Sequence, residues 1–156
     1  MALGHAATKV AVAGVADSPL PVLEADKTTY HIYSVPGVIK TLSLGTFFTC
    51  TSLEKTTTMR VGVEVFPGPG GSPVNDPVAT SFAILPGGTA TFGTNPAVGF
   101  SIASDLSVFL TEGSARILST SRKLMCTAYR ADYANSPPTS MMHLTIIKKT
   151  TQRAAN

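Results

Sequence analysis

Thr56–Gly71 reads "TTTMRVGVEVFPGPGG". Met59, Val61, Val63 and Val65 fall on one side of an extended chain, and Arg60, Gly62 and Glu64 on the other. Strict period two is the pattern of a half-buried strand in an antiparallel sheet. The Pro/Gly run that follows cannot continue the ladder, because proline lacks the N–H donor and glycine favours turns. One strand and one stop set the grammar for the rest of the chain.

The same alternation of short apolar runs and turn signals recurs in both directions. "TKVAVAGV", "TTYHIYSV", "VIKTLSL" and "GTFFTCTS" precede the quoted stretch. "SFAIL", "TATFG", "SVFLT", "SARILST", "KLMCTAY" and "SMMHLTIIKK" follow it. Pro86-Gly87-Gly88 between two of them reads as a hairpin connection. No helical pattern separates the strands, so a parallel α/β sheet is not indicated. Many short strands predict an all-β fold, an antiparallel β-sandwich of immunoglobulin-like or jelly-roll-like form.

The 156 residues suit one domain. We expect an N-terminal arm or signal-peptide remnant with a first strand over 1–20, a single sandwich over 21–149 and a tail over 150–156. "ALGHAA" near the start resembles a cleavage site, and "TKVAVAGVA" could pair with a sheet edge of its own chain or of a neighbour. No apolar run reaches the roughly 18–20 residues that cross a bilayer.

Net charge is +3, with only 13% charged residues. The cations are scattered, the only dense group being "KKTTQR" at 148–153, and tryptophan is absent. A nucleic-acid module should show a concentrated basic face or interleaved aromatics, so no nucleic-acid partner is expected.

Cys50 and Cys126 are the only cysteines, each in mid-strand. Cysteines far apart in sequence can staple two facing sheets, as the immunoglobulin inter-sheet bridge does. A Cys50–Cys126 disulfide is therefore expected in an oxidising compartment, against the alternatives of buried thiols, redox chemistry or metal binding. His31 and His143 are expected on solvent faces, and His5 in the arm. No zinc-type spacing, nucleophile elbow or phosphate loop occurs, so neither catalytic residues nor a cofactor or metal is predicted. Glu24, Asp26, Glu54, Glu64, Asp76, Asp105, Glu112 and Asp132 offer no local acid/base pair. Phe47 and Phe48 should face opposite ways, as should Tyr30 and Tyr33; core packing with incidental exposure is the expected account of these aromatics, and an exposed edge patch the alternative.

The stretch from Cys50 to Lys149 resembles small uncharacterised exported proteins of environmental bacteria with immunoglobulin-like patterning. "CTS", "VGVEVF", "LPGGTATFG" and "NSPPTSMMHLTI" carry the likeness. It implies an exported domain, secreted, periplasmic or at the cell surface, and it brings no known activity or functional residues. The expected role is a non-enzymatic structural or interaction module at the cell envelope. The alternatives are a self-assembling subunit of a filament or capsid, and a carbohydrate-binding or hydrolase-accessory domain.

Overall fold

The computed structural model describes residues 14–97, 99 and 101–149. Over these residues it contains ten strands and no helix. They are β1 (Tyr30–Pro36), β2 (Leu44–Ser52), β3 (Met59–Pro67), β4 (Phe82–Ile84) and β5 (Thr89–Gly93). Then come β6 (Ser104–Asp105), β7 (Gly113–Ser119), β8 (Leu124–Asp132), β9 (Met141–His143) and β10 (Ile147–Lys148). Two five-stranded sheets form, ordered β10-β1-β7-β3-β4 and β6-β5-β2-β8-β9. Apart from the parallel β5–β6 pair, neighbours run antiparallel. The sheets face each other across one apolar core, so the fold is a β-sandwich.

The alternation in β3 is the one read from the sequence. Met59, Val61, Val63 and Val65 are buried in the core, opposite Phe48, Cys50 and Phe92 of the other sheet. Beyond β4, the loop itself completes the edge of β3. Asn75 Nδ2 donates to the Val63 carbonyl at 2.8 Å, and the Val65 N–H donates to Asn75 Oδ1 at 2.8 Å. A side-chain amide thus imitates a strand where prolines prevent one.

The reverse face of β3 is also covered. Glu64 and Arg116 lie side by side on β3 and β7, both buried, and form an ion pair. Arg116 also donates to the carbonyls of Ser18 and Pro19, at 2.8 and 2.7 Å. Ser18 and Pro19, in the stretch expected as an arm, are thereby fastened to the first sheet. Leu23 sits over Gly62, where an added Cβ would stand 2.7 Å from the Pro77 carbonyl oxygen and 3.0 Å from Leu23 Cδ2. Gly62 is therefore what lets the cover approach the strand.

Several expectations are corrected. His31 faces outward from β1 but is buried, not solvent-exposed. Tyr30 and Tyr33 do not point to opposite faces, since both pack against the core. A bulge between His31 and Tyr33 inserts a residue and resets the alternation. Pro86-Gly87-Gly88 is not a hairpin, because β4 pairs with β3 and β5 with β2. Its turn, with Gly87 at φ +70, carries the chain from one sheet to the other. "SVFLT" and "VIKTLSL" are reduced to isolated bridges at Leu110 and Lys40, apart from the β2 start at Leu44. "SMMHLTIIKK" divides into β9 in one sheet and β10 in the other. Residues 8–13 of the expected "TKVAVAGV" strand lie outside the described residues, as does His5; Gly14 and Val15 lead into a turn.

Candidate functional site: an apolar corner at a sheet edge

Cys50 and Cys126 are bonded, as the sequence suggested, but they do not staple the two sheets. They are directly opposite each other on neighbouring strands β2 and β8 of the same sheet, with Cα atoms 4.1 Å apart. Such closeness marks a non-hydrogen-bonded antiparallel pair, the only kind of adjacent site where side chains lie that near. Alternation cannot reveal this, because it sets the face of each residue and not its neighbour.

Six of the eight candidate carboxylates, all but Asp26 and Glu112, are engaged in local structure among the described residues. Glu64 is paired with Arg116, and Glu24 with Lys27 at 2.9 Å. Asp76 accepts from the Val78 N–H at 2.8 Å, and Asp105 from the Ser107 N–H at 2.9 Å. Glu54 accepts from Ser121 Oγ at 2.6 Å and Lys123 Nζ at 3.1 Å; these bonds hold its carboxyl below the ordinary range. Among the described residues no three His, Cys, Asp or Glu side chains cluster as metal ligands. No helix there is long and apolar enough to cross a membrane.

Phe47 and Phe48 are both fully buried and form no exposed aromatic patch. Phe48 enters the core. Phe47 lies on the other face, across the bare backbones of Gly45 and Gly93, where Cβ atoms would come within 3.1 and 2.9 Å of its ring. Tyr129 stacks on it at 5.8 Å. Beyond them this face is lined with threonines, with Thr49–Thr91 and Thr51–Thr89 hydroxyl pairs at 2.9 and 2.8 Å.

Three of the exposed apolar groups gather where β2 begins and β8 turns into β9. Met141 and Met142 of β9 are 56% and 61% exposed, and Leu42 beside the start of β2 is 93% exposed. Leu44, Met141 and Met142 line a cleft of about 160 Å³ together with Ser140 and Arg130. Arg130 is anchored: its guanidinium donates to the Gly37 carbonyl, at 2.8 Å from Nε. Asp132 shapes the corner. Its carboxylate accepts from Asn135 Nδ2, from Thr139 Oγ1 at 2.8 Å and from the Ala134 N–H at 2.9 Å. Those bonds, led by the one from Asn135, hold its pKa at about 2. They fold residues 133–140 into a compact loop that returns the chain as β9. Tyr133 ties the loop to β2 by donating its hydroxyl to the Leu42 carbonyl at 2.5 Å.

The backbone of β9 is half used. Ser140 accepts from the Asp132 N–H at 3.2 Å, and the Leu144 N–H donates to Ala128 at 2.9 Å. In an antiparallel ladder alternate residues bond to the same neighbour, so Met141 and His143 direct their N–H and C=O groups away from the sheet. The corner thus combines exposed methionines with strand backbone that has no partner among the described residues. Sequence reasoning missed it, although "SPPTSMMH" carries the signal: two adjacent methionines just beyond a proline turn cannot both face a core. Comparison of the chain with protein-family models, curated proteins and solved structures returns no match.

Proposed function

We propose that this is a non-enzymatic exported β-sandwich that serves as an interaction module at the cell envelope. The apolar corner is its docking surface, and an extended segment of a protein partner is the occupant. One observation carries the reading: β9 offers open backbone groups and two exposed methionines at the same place. A segment added along β9 would gain main-chain hydrogen bonds, with the cleft admitting one of its apolar side chains. Methionine suits such a surface because its unbranched, polarisable chain adapts to different shapes. The edge is only three residues long. A short edge strand discourages indiscriminate pairing, so the site favours a short matched segment over open-ended aggregation. The disulfide supports export, because cytosolic thiols are kept reduced.

A photocrosslinking residue at position 142, compared with one at Phe82 on the edge of the other sheet, tests the proposal in producing cells. A discrete adduct at 142 and none at 82 is expected, in the exported fraction. Equal labelling at both, or none at either, would overturn it. An adduct of twice the chain's own mass would replace the partner with a second copy, the self-assembly alternative.

A further inference from the structure

A second opening lies at the far end of the β2–β8 ladder, beside the Ser52–Leu124 pair, whereas the apolar corner sits beside Leu44–Asp132. It is a cleft of about 340 Å³ between the beginnings of β1 and β3 and the β7–β8 turn. Tyr30, Glu54, Thr57, Thr58, Arg122 and Lys123 form its principal walls. From this geometry we infer a binding site for a sugar acid, with the ligand's carboxylate on Arg122 and its hydroxyls on Thr57, Thr58 and Glu54.

The charges decide the ligand class. Lys123 is compensated by Glu54 at 3.1 Å, and Lys27, also on the wall, by Glu24 at 2.9 Å. Arg122 has no carboxylate or hydrogen-bond acceptor among the described residues; its guanidinium carbon lies 4.6 Å above the centre of the Tyr30 ring. The ring contact restrains the guanidinium while its N–H groups keep no acceptor among the described residues, and a guanidinium fork can receive a carboxylate through two parallel bonds. One uncompensated cation calls for one negative charge, so a phosphate dianion is over-charged for the cleft. The Tyr30 face is occupied by Arg122, so it is not a platform for stacking a neutral sugar ring.

The remaining wall is polar. Thr57 and Thr58 are exposed, and their hydroxyls make no hydrogen bond among the described residues. Each oxygen of Glu54 accepts one bond and keeps capacity for another. Adjacent hydroxyls facing a spare carboxylate acceptor complement a polyhydroxylated ligand. The volume lies at the lower end of the range typical of small-molecule sites, about 300–1,000 Å³.

The test is a titration of the intact protein with sodium glucuronate, glucose and sodium sulfate, followed by backbone amide NMR. Glucuronate should shift the amides of Thr57, Thr58 and Arg122, with glucose silent and sulfate at least about tenfold weaker. Arg122→Gln, checked for an unchanged melting temperature, should lose at least about tenfold in glucuronate affinity. Met142→Arg, at the opposite end of the ladder, should leave it unchanged, which separates this site from the docking corner. Equal response to sulfate and glucuronate would reduce the site to a general anion contact and overturn the assignment. So would the absence of shifts with glucuronate, or full retention of affinity in Arg122→Gln. A parallel titration with oligogalacturonates separates the sources: tighter binding than the monomer assigns a unit of a polymer, equal binding a free sugar acid.

Discussion

Arg116 illustrates how far one buried side chain can organise a surface. Its guanidinium bonds to Glu64 and two cover carbonyls, and its carbon stands 5.3 Å from the centre of the Phe66 ring. Removing one member of such a buried pair leaves the other charge without compensation, a loss of about 3–5 kcal/mol. Arg116→Met should therefore cost that much in denaturant unfolding. Glu64→Leu combined with Arg116→Met should recover part of it, because an apolar pair needs no desolvation. A double variant no more stable than the single one would mean that the carbonyl bonds dominate. His31, on the same face, adds a pH dependence. Its Nε2 lies 3.1 Å from the Tyr33 carbonyl, which only accepts, so Nε2 carries the proton and Nδ1 is the bare nitrogen. Nδ1 is buried and unpartnered among the described residues. Burial first, then the charges of Arg116 and Lys149, lower the His31 pKa from 6.5 to about 4. The unfolded chain thus binds the proton more readily than the folded one between these values. The stabilisation is complete above about pH 6.5 and is lost as pH falls towards 4, by at most about 3 kcal/mol. Unfolding free energies measured across that window should fall, and His31→Gln should flatten the curve. A wild-type profile already flat there would sink the assignment.

At the scale of elements, the disulfide reinforces a pairing that the ladder already specifies. β2 and β8 are in register from Leu44–Asp132 to Ser52–Leu124, with the cysteines inside that run. The cross-link closes a loop with a sequence separation of 76, worth about 4–5 kcal/mol if its effect is loop-closure entropy alone. Non-reducing mass spectrometry should find the chain two hydrogens lighter than its reduced form. Reduction should lower the melting temperature while preserving the far-ultraviolet β-sheet spectrum; an unchanged melting temperature would show that the ladder alone suffices. Which strands pair was the part hidden from the sequence. Alternation in β3 correctly placed Val61, Val63 and Val65 inside, because side-chain direction is a local property. Partner choice is not local. The continuous "SMMHLTIIKK" run gives no sign that Leu144 and Ile146 pack against the core between two sheets. The buried state of His31 and Phe47 was likewise invisible, since it depends on a distant cover and on glycines that pair only in the fold. The composition did convey a strand-rich chain, because it lacks helical periodicity throughout. The polar cleft arises from residues far apart in sequence and no short motif carries a trace of it, whereas of the docking corner only the adjacent methionines of "SPPTSMMH" were legible.

For the whole molecule, the two outer faces are unlike. That of the second sheet carries open threonine rows, with Thr127 and Met125 exposed. On that of the first, Ser18 and Pro19 cap Arg116, Leu23 and Pro77 close over Gly62, and Glu64, Arg116, His31 and Leu118 are all buried. The cover is therefore part of the folded body, and its removal should act on the whole stability. Deleting residues 1–13 takes away none of these contacts and supplies the reference truncation. Deleting 1–23 removes both carbonyl acceptors of Arg116 and the Leu23 side chain over Gly62. It should lower stability by several kcal/mol, since a charged pair loses acceptors and apolar area returns to water. It should also raise the His31 pKa towards 6.5, because burial is the largest cause of the present depression. Histidine NMR titration of the longer truncation separates this account from general unfolding. A folded protein with His31 titrating near 6.5 is expected. One in which His31 still titrates near 4 would show that the sheet itself, without the cover, excludes water from that face.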